Sequence, residues 1–311
     1  MRIAFLGTPD FAVAPLDALA RAGHEILCVV AQPDRPAGRG QALREPATKA
    51  WARAHRVPVL QPEKVRDGKL AADLAARAPD LLVVVAYGRI LGDDLLALAP
   101  FGAVNVHASL LPRWRGAAPI QWAVAAGDRE TGVTIMRMDA GLDTGDLLLQ
   151  RGVAIAEDDD AGRMFGKLAP LGADALVTAL PLLEAGRIVP VRQDGAQATA
   201  ARILEKEDGR LDFTAPAALL AARVRGFTPW PGAFTTLAGK ALKVHAARAL
   251  AGATAGALGP GEARATGAGI EVGCGEGALL LVEVQLEGKR RLPAAELVKG
   301  HPLAAGTVLG R

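Results

Sequence analysis

At 311 residues, half of them apolar and 22% charged, the chain has the composition of a globular protein with one large core or two smaller ones. A net charge of only +3 at this hydrophobicity excludes a disordered polyion, and no compact apolar run approaches the ~18 residues of a membrane helix. The apolar stretch behind Met1 breaks at Gly7-Thr8-Pro9-Asp10, too early for a signal peptide, and Cys28 and Cys274 cannot build a disulfide framework, so a soluble cytoplasmic protein without a membrane partner is expected.

Arg2–Leu6, Glu25–Ala31, Leu81–Tyr87 and Ala103–His107 are short runs rich in Val, Ile and Leu, the pattern of strands buried on both faces of a parallel sheet. Helical patterns separate them at Phe11–Arg21 (stopped by Gly23), Thr48–His55, Gly68–Ala78 and Asp93–Leu98. This β-α-β-α order predicts an open α/β sheet with ligands at the carboxyl ends of its strands. Val133–Met138 and Asp146–Ile155 read as further strands, and a long helix is expected from Asp160 to Ala185 behind the acidic run Glu157 to Asp160. After Pro190 the character changes. Arg192 to Lys206 lacks a strong period and reads as a linker, followed by a helix at Pro216–Phe227. Short strand-like runs then alternate with Gly-rich turns at Ala233–Ala238, Leu242–Ala247, Gly269–Val272 and Leu279–Leu286, as in a small β-barrel or sandwich. The expected division is 1–189, a linker over 190–206, and 207–311. Residues 1–204 hold 23 basic and 23 acidic side chains, whereas 205–311 hold 13 and 10. A solvated surface explains so mild an asymmetry more often than a nucleic-acid partner does.

Several chemistries lack their residues. Gly7 is followed by Thr8-Pro9-Asp10-Phe11 instead of a dinucleotide-binding G-x-G-x-x-G, and there is no G-x-x-x-x-G-K-[ST] loop. Neither H-E-x-x-H nor paired C-x-x-C occurs, and the histidines are scattered at 24, 55, 107, 245 and 301, so no metal site is expected.

The informative stretch is Asn105-Val106-His107-Ala108-Ser109-Leu110-Leu111-Pro112. On a strand, Asn105 and His107 share one face roughly 6–7 Å apart, and Val104 and Val106 take the other. A strand-end His often does no more than hydrogen-bond a backbone carbonyl, but apolar strands rarely carry two uncompensated polar groups on one face. In Asp139-Ala140-Gly141-Leu142-Asp143-Thr144-Gly145-Asp146, the glycines bracket Asp143 in a tight, backbone-permissive loop. That loop suits either a self-satisfied turn or a carboxylate presented to His107, and spacing alone leaves both open. Pro33 to Lys49 is too long and too rich in Gly, Pro and Arg for an ordinary strand-to-helix connection of ~2–6 residues. Arg35, Arg39, Arg44 and Lys49 give it a positive face.

These segments carry a resemblance. The chain is similar, over nearly its full length, to the methionyl-tRNA formyltransferase family of folate-dependent formyltransferases. The matching blocks are F-L-G-T-P-D-F at 5–11, Q-P-D-R-P-A-G-R-G at 32–40, V-V-V-A-Y-G at 83–88, N-V-H-A-S-L-L-P-R-W-R-G-A-A-P-I-Q at 105–121 and D-A-G-L-D-T-G-D at 139–146, with W-P-G-A-F at 230–234 the clearest piece of the last hundred residues. Ala108 stands where the family often has Gly, a small departure. The resemblance implies an open, mostly parallel Rossmann-like domain with a smaller C-terminal OB-like β-barrel. It implies formyl transfer from 10-formyltetrahydrofolate to the methionine amine of initiator methionyl-tRNA. A monomer is expected, since nothing in the sequence suggests an obligate partner. It assigns Asn105, His107 and Asp143 to catalysis, Asp143 orienting His107 and favouring its protonated form. Ser109, Leu110, Leu111 and Pro112 become the folate-contacting loop, and Arg39 and Arg44 become tRNA contacts in a loop that orders on the acceptor end. Amino-sugar nucleotide formyltransferases share the catalytic residues and are the alternative, from which the 33–49 segment is the distinguishing feature.

Overall fold

The computed structural model describes residues 1–37, 42–250 and 258–310. They form two compact units: Met1–Pro119 with Glu130–Val153 and Phe165–Arg202, and Ile120–Arg129 with Ala154–Met164 and Ile203–Arg311.

In chain order the first unit begins with β1 (Arg2–Gly7), α1 (Val13–Arg21), β2 (Glu25–Val30), the hairpin β3 (Arg35–Ala37) and β4 (Ala42–Arg44), α2 (Ala47–Ala54), β5 (Val59–Leu60), α3 (Lys69–Ala75), β6 (Leu81–Val85), α4 (Asp93–Leu96), β7 (Ala103–His107) and β8 (Arg115–Gly116). The chain continues through α5 (Pro119–Ala125), β9 (Glu130–Arg137), β10 (Leu147–Ala154), α6 (Ala161–Glu184) and β11 (Ala200–Ala201). The main sheet runs β10-β9-β7-β6-β1-β2-β5. The pairs β1–β2, β1–β6, β2–β5 and β6–β7 are parallel, as the continuous apolar runs demand. β9 instead runs antiparallel to β7, with His107 opposite Thr134.

β7 is thus an interior strand. α6 covers one face of it: a Cβ on Gly172 would stand 2.9 Å from the Val106 side chain, so the helix backbone lies directly against the Val104/Val106 face. Asn105 and His107 take the other face. By length and composition α6 could cross a bilayer, but Met164, Leu168, Ala175, Leu176, Ala179, Leu180 and Leu183 are buried at helical spacing while Arg163, Lys167 and Asp174 face out, the stripe of a core helix. The apolar pattern overran the ends of some elements. α3 starts after Gly68, whose φ of +78° is left-handed, and stops short of Ala78 at φ +48°. The β3–β4 hairpin and α5 carry too few residues for a period to show.

The second unit holds α7 (Ala217–Gly226), β12 (Ala233–Leu237), β13 (Lys240–Leu250), β14 (Ala263–Thr266), β15 (Gly269–Gly273), β16 (Ala278–Leu286), β17 (Leu292–Pro293) and α8 (Ala294–Gly300). Its sheet order is β12-β13-β16-β15-β14 with β17 on β16, every pair antiparallel, which is the smaller C-terminal β unit expected. Leu242 and Val244 of β13, Ile270 and Val272 of β15, and Leu279, Leu281 and Val284 of β16 enter a core shared with Leu220 and Val224 of α7 and Leu297 of α8, the phase along the β13–β16 pair being shifted by an irregularity in its register. Glu271, nearly buried, is held by both Arg264 Nε and Nη2 at 3.0 and 2.9 Å across the β14–β15 pair.

Candidate active site

At the carboxyl end of β7 three polar side chains converge. His107 Nδ1 lies 3.5 Å from Asp143 Oδ2, and Asn105 Nδ2 donates to Asp143 Oδ1 at 3.4 Å. The Asp143 carboxylate also accepts the Gly116 backbone N–H at 2.8 Å. His107 Nε2 is 2.9 Å from the Trp114 carbonyl oxygen. A carbonyl only accepts, so Nε2 carries a hydrogen and Nδ1 is the nitrogen turned to the carboxylate. A hydrogen on Nδ1 would make that contact attractive. The His107 side chain is 5% exposed and that of Asp143 12%, so bulk water screens the pair weakly. Asp143 thus faces His107. Asn105 is half-buried, and its long bond to Asp143 leaves an amide N–H available to a ligand.

The loop that delivers Asp143 works differently from the expectation. Neither Gly141 nor Gly145 has a positive φ; the left-handed residue is Asp143 itself, at φ +53°. The glycines are needed for space: a Cβ on Gly145 would fall 1.7 Å from the Arg137 carbonyl oxygen, and one on Gly141 2.0 Å from Thr144 Oγ1. Trp114, whose carbonyl receives His107, is also left-handed at φ +62°. Non-glycine residues in this region are held there by surrounding contacts, and such strain clusters at functional sites.

The 109–112 loop is anchored to the sheet. Ser109 is fully buried and donates its hydroxyl to the Arg113 carbonyl at 2.6 Å. Thr134 Oγ1 donates to the Ser109 carbonyl at 2.7 Å, and Gln150 Nε2 donates to the Leu111 carbonyl at 2.9 Å. Leu111 is buried, whereas Leu110 and Pro112 are half-exposed. Ser109 and Leu111 therefore shape the loop from beneath, and its apolar surface comes from Leu110 and Pro112. Leu142, beside Asp143, adds an exposed apolar side chain.

Sequence reasoning missed the residues that brace this cluster. Thr199 Oγ1 accepts the Trp114 N–H at 2.8 Å, and β11 pairs in parallel with β8. Gln193 hydrogen-bonds both to Arg115 and to the backbone around Asp143. A stretch without a period gives no signal for such contacts, because they depend on single polar side chains.

A cleft of about 1170 Å³ opens beside β6, lined by Asp10, Arg35, Arg44, Trp51, Tyr87 and Arg89 among others. Arg44 is largely exposed there, 3.6 Å from Asp10. Lys49 does not join that positive face: its ammonium donates to both Asp34 oxygens at 2.9 and 2.7 Å. That bond, aided by one from Gln61, holds the Asp34 carboxyl below its ordinary pKa. Burial pushes the Tyr87 phenol up. Arg39 lies outside the described residues. Among the described residues, no cluster of three His, Cys, Asp or Glu side chains is placed to hold a metal ion.

The formyl transferase family matches residues 1–180 and its C-terminal domain matches 203–302, and the chain belongs to this family. It is 70% identical to the methionyl-tRNA formyltransferase of Anaeromyxobacter sp. strain K, over 96% of this chain and 97% of that protein. To the methionyl-tRNA formyltransferase of Myxococcus xanthus it is 53% identical, over 98% and 97%. The N-formyltransferase of Helicobacter canadensis, solved with folinic acid and dTDP-3-aminofucose, shares the fold with a TM-score of 0.65 at 13% identity, over 90% of this chain and 98% of that one.

Proposed function

We propose that this protein transfers the formyl group of 10-formyltetrahydrofolate to the α-amine of methionine on initiator methionyl-tRNA, in the cytoplasm and as a monomer. The observation that carries the reading is the Asn105–His107–Asp143 cluster, in a chain 70% identical over 96% of its length to a methionyl-tRNA formyltransferase. The site suits the co-substrate. Asn105 keeps an amide N–H free of a strong partner, and Leu110, Pro112 and Leu142 offer apolar surface for a flat ring system next to polar groups. Bound 10-formyltetrahydrofolate supplies the activated formyl carbonyl.

The residues of the chain do the remainder. Asn105 Nδ2 donates to the oxygen on which negative charge develops as the amine attacks. His107, with Nε2 committed to Trp114, has Nδ1 to carry the mobile proton to the folate N10 as its bond to the formyl carbon breaks, and Asp143 stabilises the cationic ring and helps take the proton that leaves the amine. Ser109 and Leu111 hold the folate-contacting loop in shape, and Leu110 and Pro112 form its apolar wall. Arg44, with Arg39 of the same segment, contacts the tRNA acceptor end. Residues 1–189 carry catalysis, 190–206 connect, and 207–311, with their basic excess, bind the RNA backbone.

The test is a transfer assay with labelled 10-formyltetrahydrofolate, charged initiator methionyl-tRNA and an amino-sugar nucleotide side by side. Label on the tRNA alone is the expected result. Label on the sugar alone, or on neither, overturns the reading.

A further inference from the structure

We propose that Gln193 is a positioning residue for this reaction, clamping the Asp143 loop to the loop that holds His107. The inference rests on the catalytic reading of Asp143. The Gln193 carboxamide is nearly buried, and all four of its hydrogen-bonding capacities are used. Its Oε1 accepts from Arg115 Nε at 3.0 Å and Nη2 at 2.7 Å. Its Nε2 donates to the Asp143 carbonyl at 2.9 Å and the Gly145 carbonyl at 2.7 Å.

The two sides of this clamp are the two sides of the site. Arg115 lies between Trp114, whose carbonyl fixes His107 Nε2, and Gly116, whose N–H holds Asp143 Oδ2. The other side is the backbone of Asp143 itself, left-handed at φ +53°, with Gly145, which tolerates no Cβ, two positions on. A residue so placed relaxes unless its neighbours restrain it. Gln193 supplies that restraint from the fully satisfied end of a carboxamide, while touching neither Asn105, His107 nor the Asp143 carboxylate.

The chain around Gln193 is itself fastened. Val191 and Leu147 exchange backbone hydrogen bonds at 2.8 and 2.9 Å. Asp194 caps the turn at Gly195–Gln197 by accepting from the Ala196 N–H at 2.9 Å. Thr199 then binds the Trp114 N–H. Residues 191–201 therefore act as a strap across the site loops, with Gln193 as its contact to the catalytic carboxylate's backbone.

Gln193→Glu separates this role from simple packing. It keeps the shape and the acceptor for Arg115, but turns the donor that serves two carbonyls into an oxygen that repels them. The expected result is a kcat at least tenfold lower, with KM for 10-formyltetrahydrofolate and for methionyl-tRNA each within threefold of wild type. Because Gln193 acts through Asp143, the same change in an Asp143→Ala background is expected to cost less than a further threefold. Should Gln193→Glu not fold, judged by its thermal transition, Gln193→Met keeps the volume without the hydrogen bonds and is read by the same two criteria. A kcat within threefold of wild type in the folded variant, or a loss that persists in full on Asp143→Ala, overturns the clamp while leaving the catalytic reading intact. A wild-type protein without transfer, or an Asp143→Ala variant of undiminished activity, overturns the catalytic reading and the clamp with it.

Discussion

Asp143→Asn puts the electrostatics of the site on trial with little change of shape. Asparagine tolerates the left-handed φ of +53° and can still accept the Gly116 N–H, so the loop keeps its path. The charge is lost. Opposite unit charges 3.5 Å apart, as on Asp143 and a protonated His107, attract by about 5 kcal/mol at an effective dielectric of about 20. The low exposure of both side chains argues against heavy discounting for solvent. Whichever way the amide turns, its NH2 group also meets the amide of Asn105 or the N–H of Gly116, both donors. If the cationic ring forms along the reaction path, transition-state stabilisation falls by roughly 3–5 kcal/mol, about 10² to 10³·⁵ in kcat/KM. The loss of one charge-assisted hydrogen bond lowers stability by about 1.5–3 kcal/mol. The assay is formyl transfer to methionyl-tRNA under kcat/KM conditions, with a thermal melt in parallel. A kcat/KM within threefold of wild type refutes the pairing of His107 with Asp143 as a source of catalysis.

Four further outcomes follow from individual contacts. Gly145→Ala places a methyl group 1.7 Å from the Arg137 carbonyl oxygen, so the loop must move; transfer activity is expected to fall more than tenfold for a stability loss of about 1–3 kcal/mol, and full activity would show that Asp143 needs no such precision. Arg264→Ala strands the nearly buried Glu271 carboxylate without its guanidinium; a loss of about 3 kcal/mol in chemical unfolding is expected, and a loss below about 0.5 kcal/mol would mean that water replaces the arginine. Burial pushes the Cys28 thiol from 9.0 to about 11, so the folded chain keeps a proton that the unfolded chain releases. This contribution is complete below pH 9 and is lost as pH rises towards 11, about 3 kcal/mol in all; Cys28→Ala is expected to flatten the fall of Tm over that window, and an unchanged slope rejects the assignment. Arg44→Ala is expected to raise KM for tRNA, and to weaken its salt dependence, without changing KM for 10-formyltetrahydrofolate; the reverse pattern removes Arg44 from the RNA contact.

The alternation of strands and helices in the first half, the buried parallel strands and the antiparallel C-terminal β unit are legible in the sequence, because burial on both faces of a strand or along one stripe of a helix imposes a local apolar pattern. The shared face of Asn105 and His107 is legible for the same reason: the period of a strand is two, and Val106 must pack behind it on α6. The motifs around these residues likewise sufficed to mark the family. The tertiary structure alone decided the rest. It brought Asp143 to His107 across 35 intervening positions, put the left-handed turn on Asp143 while the glycines served for clearance, and bound Lys49 to Asp34 instead of leaving it on a cationic face. It also turned a stretch without period into the strap carrying Gln193 and Thr199. Periodicity records which side of an element meets the core; a hydrogen bond between distant loops depends on one side chain at one position, and becomes visible once the chain has folded.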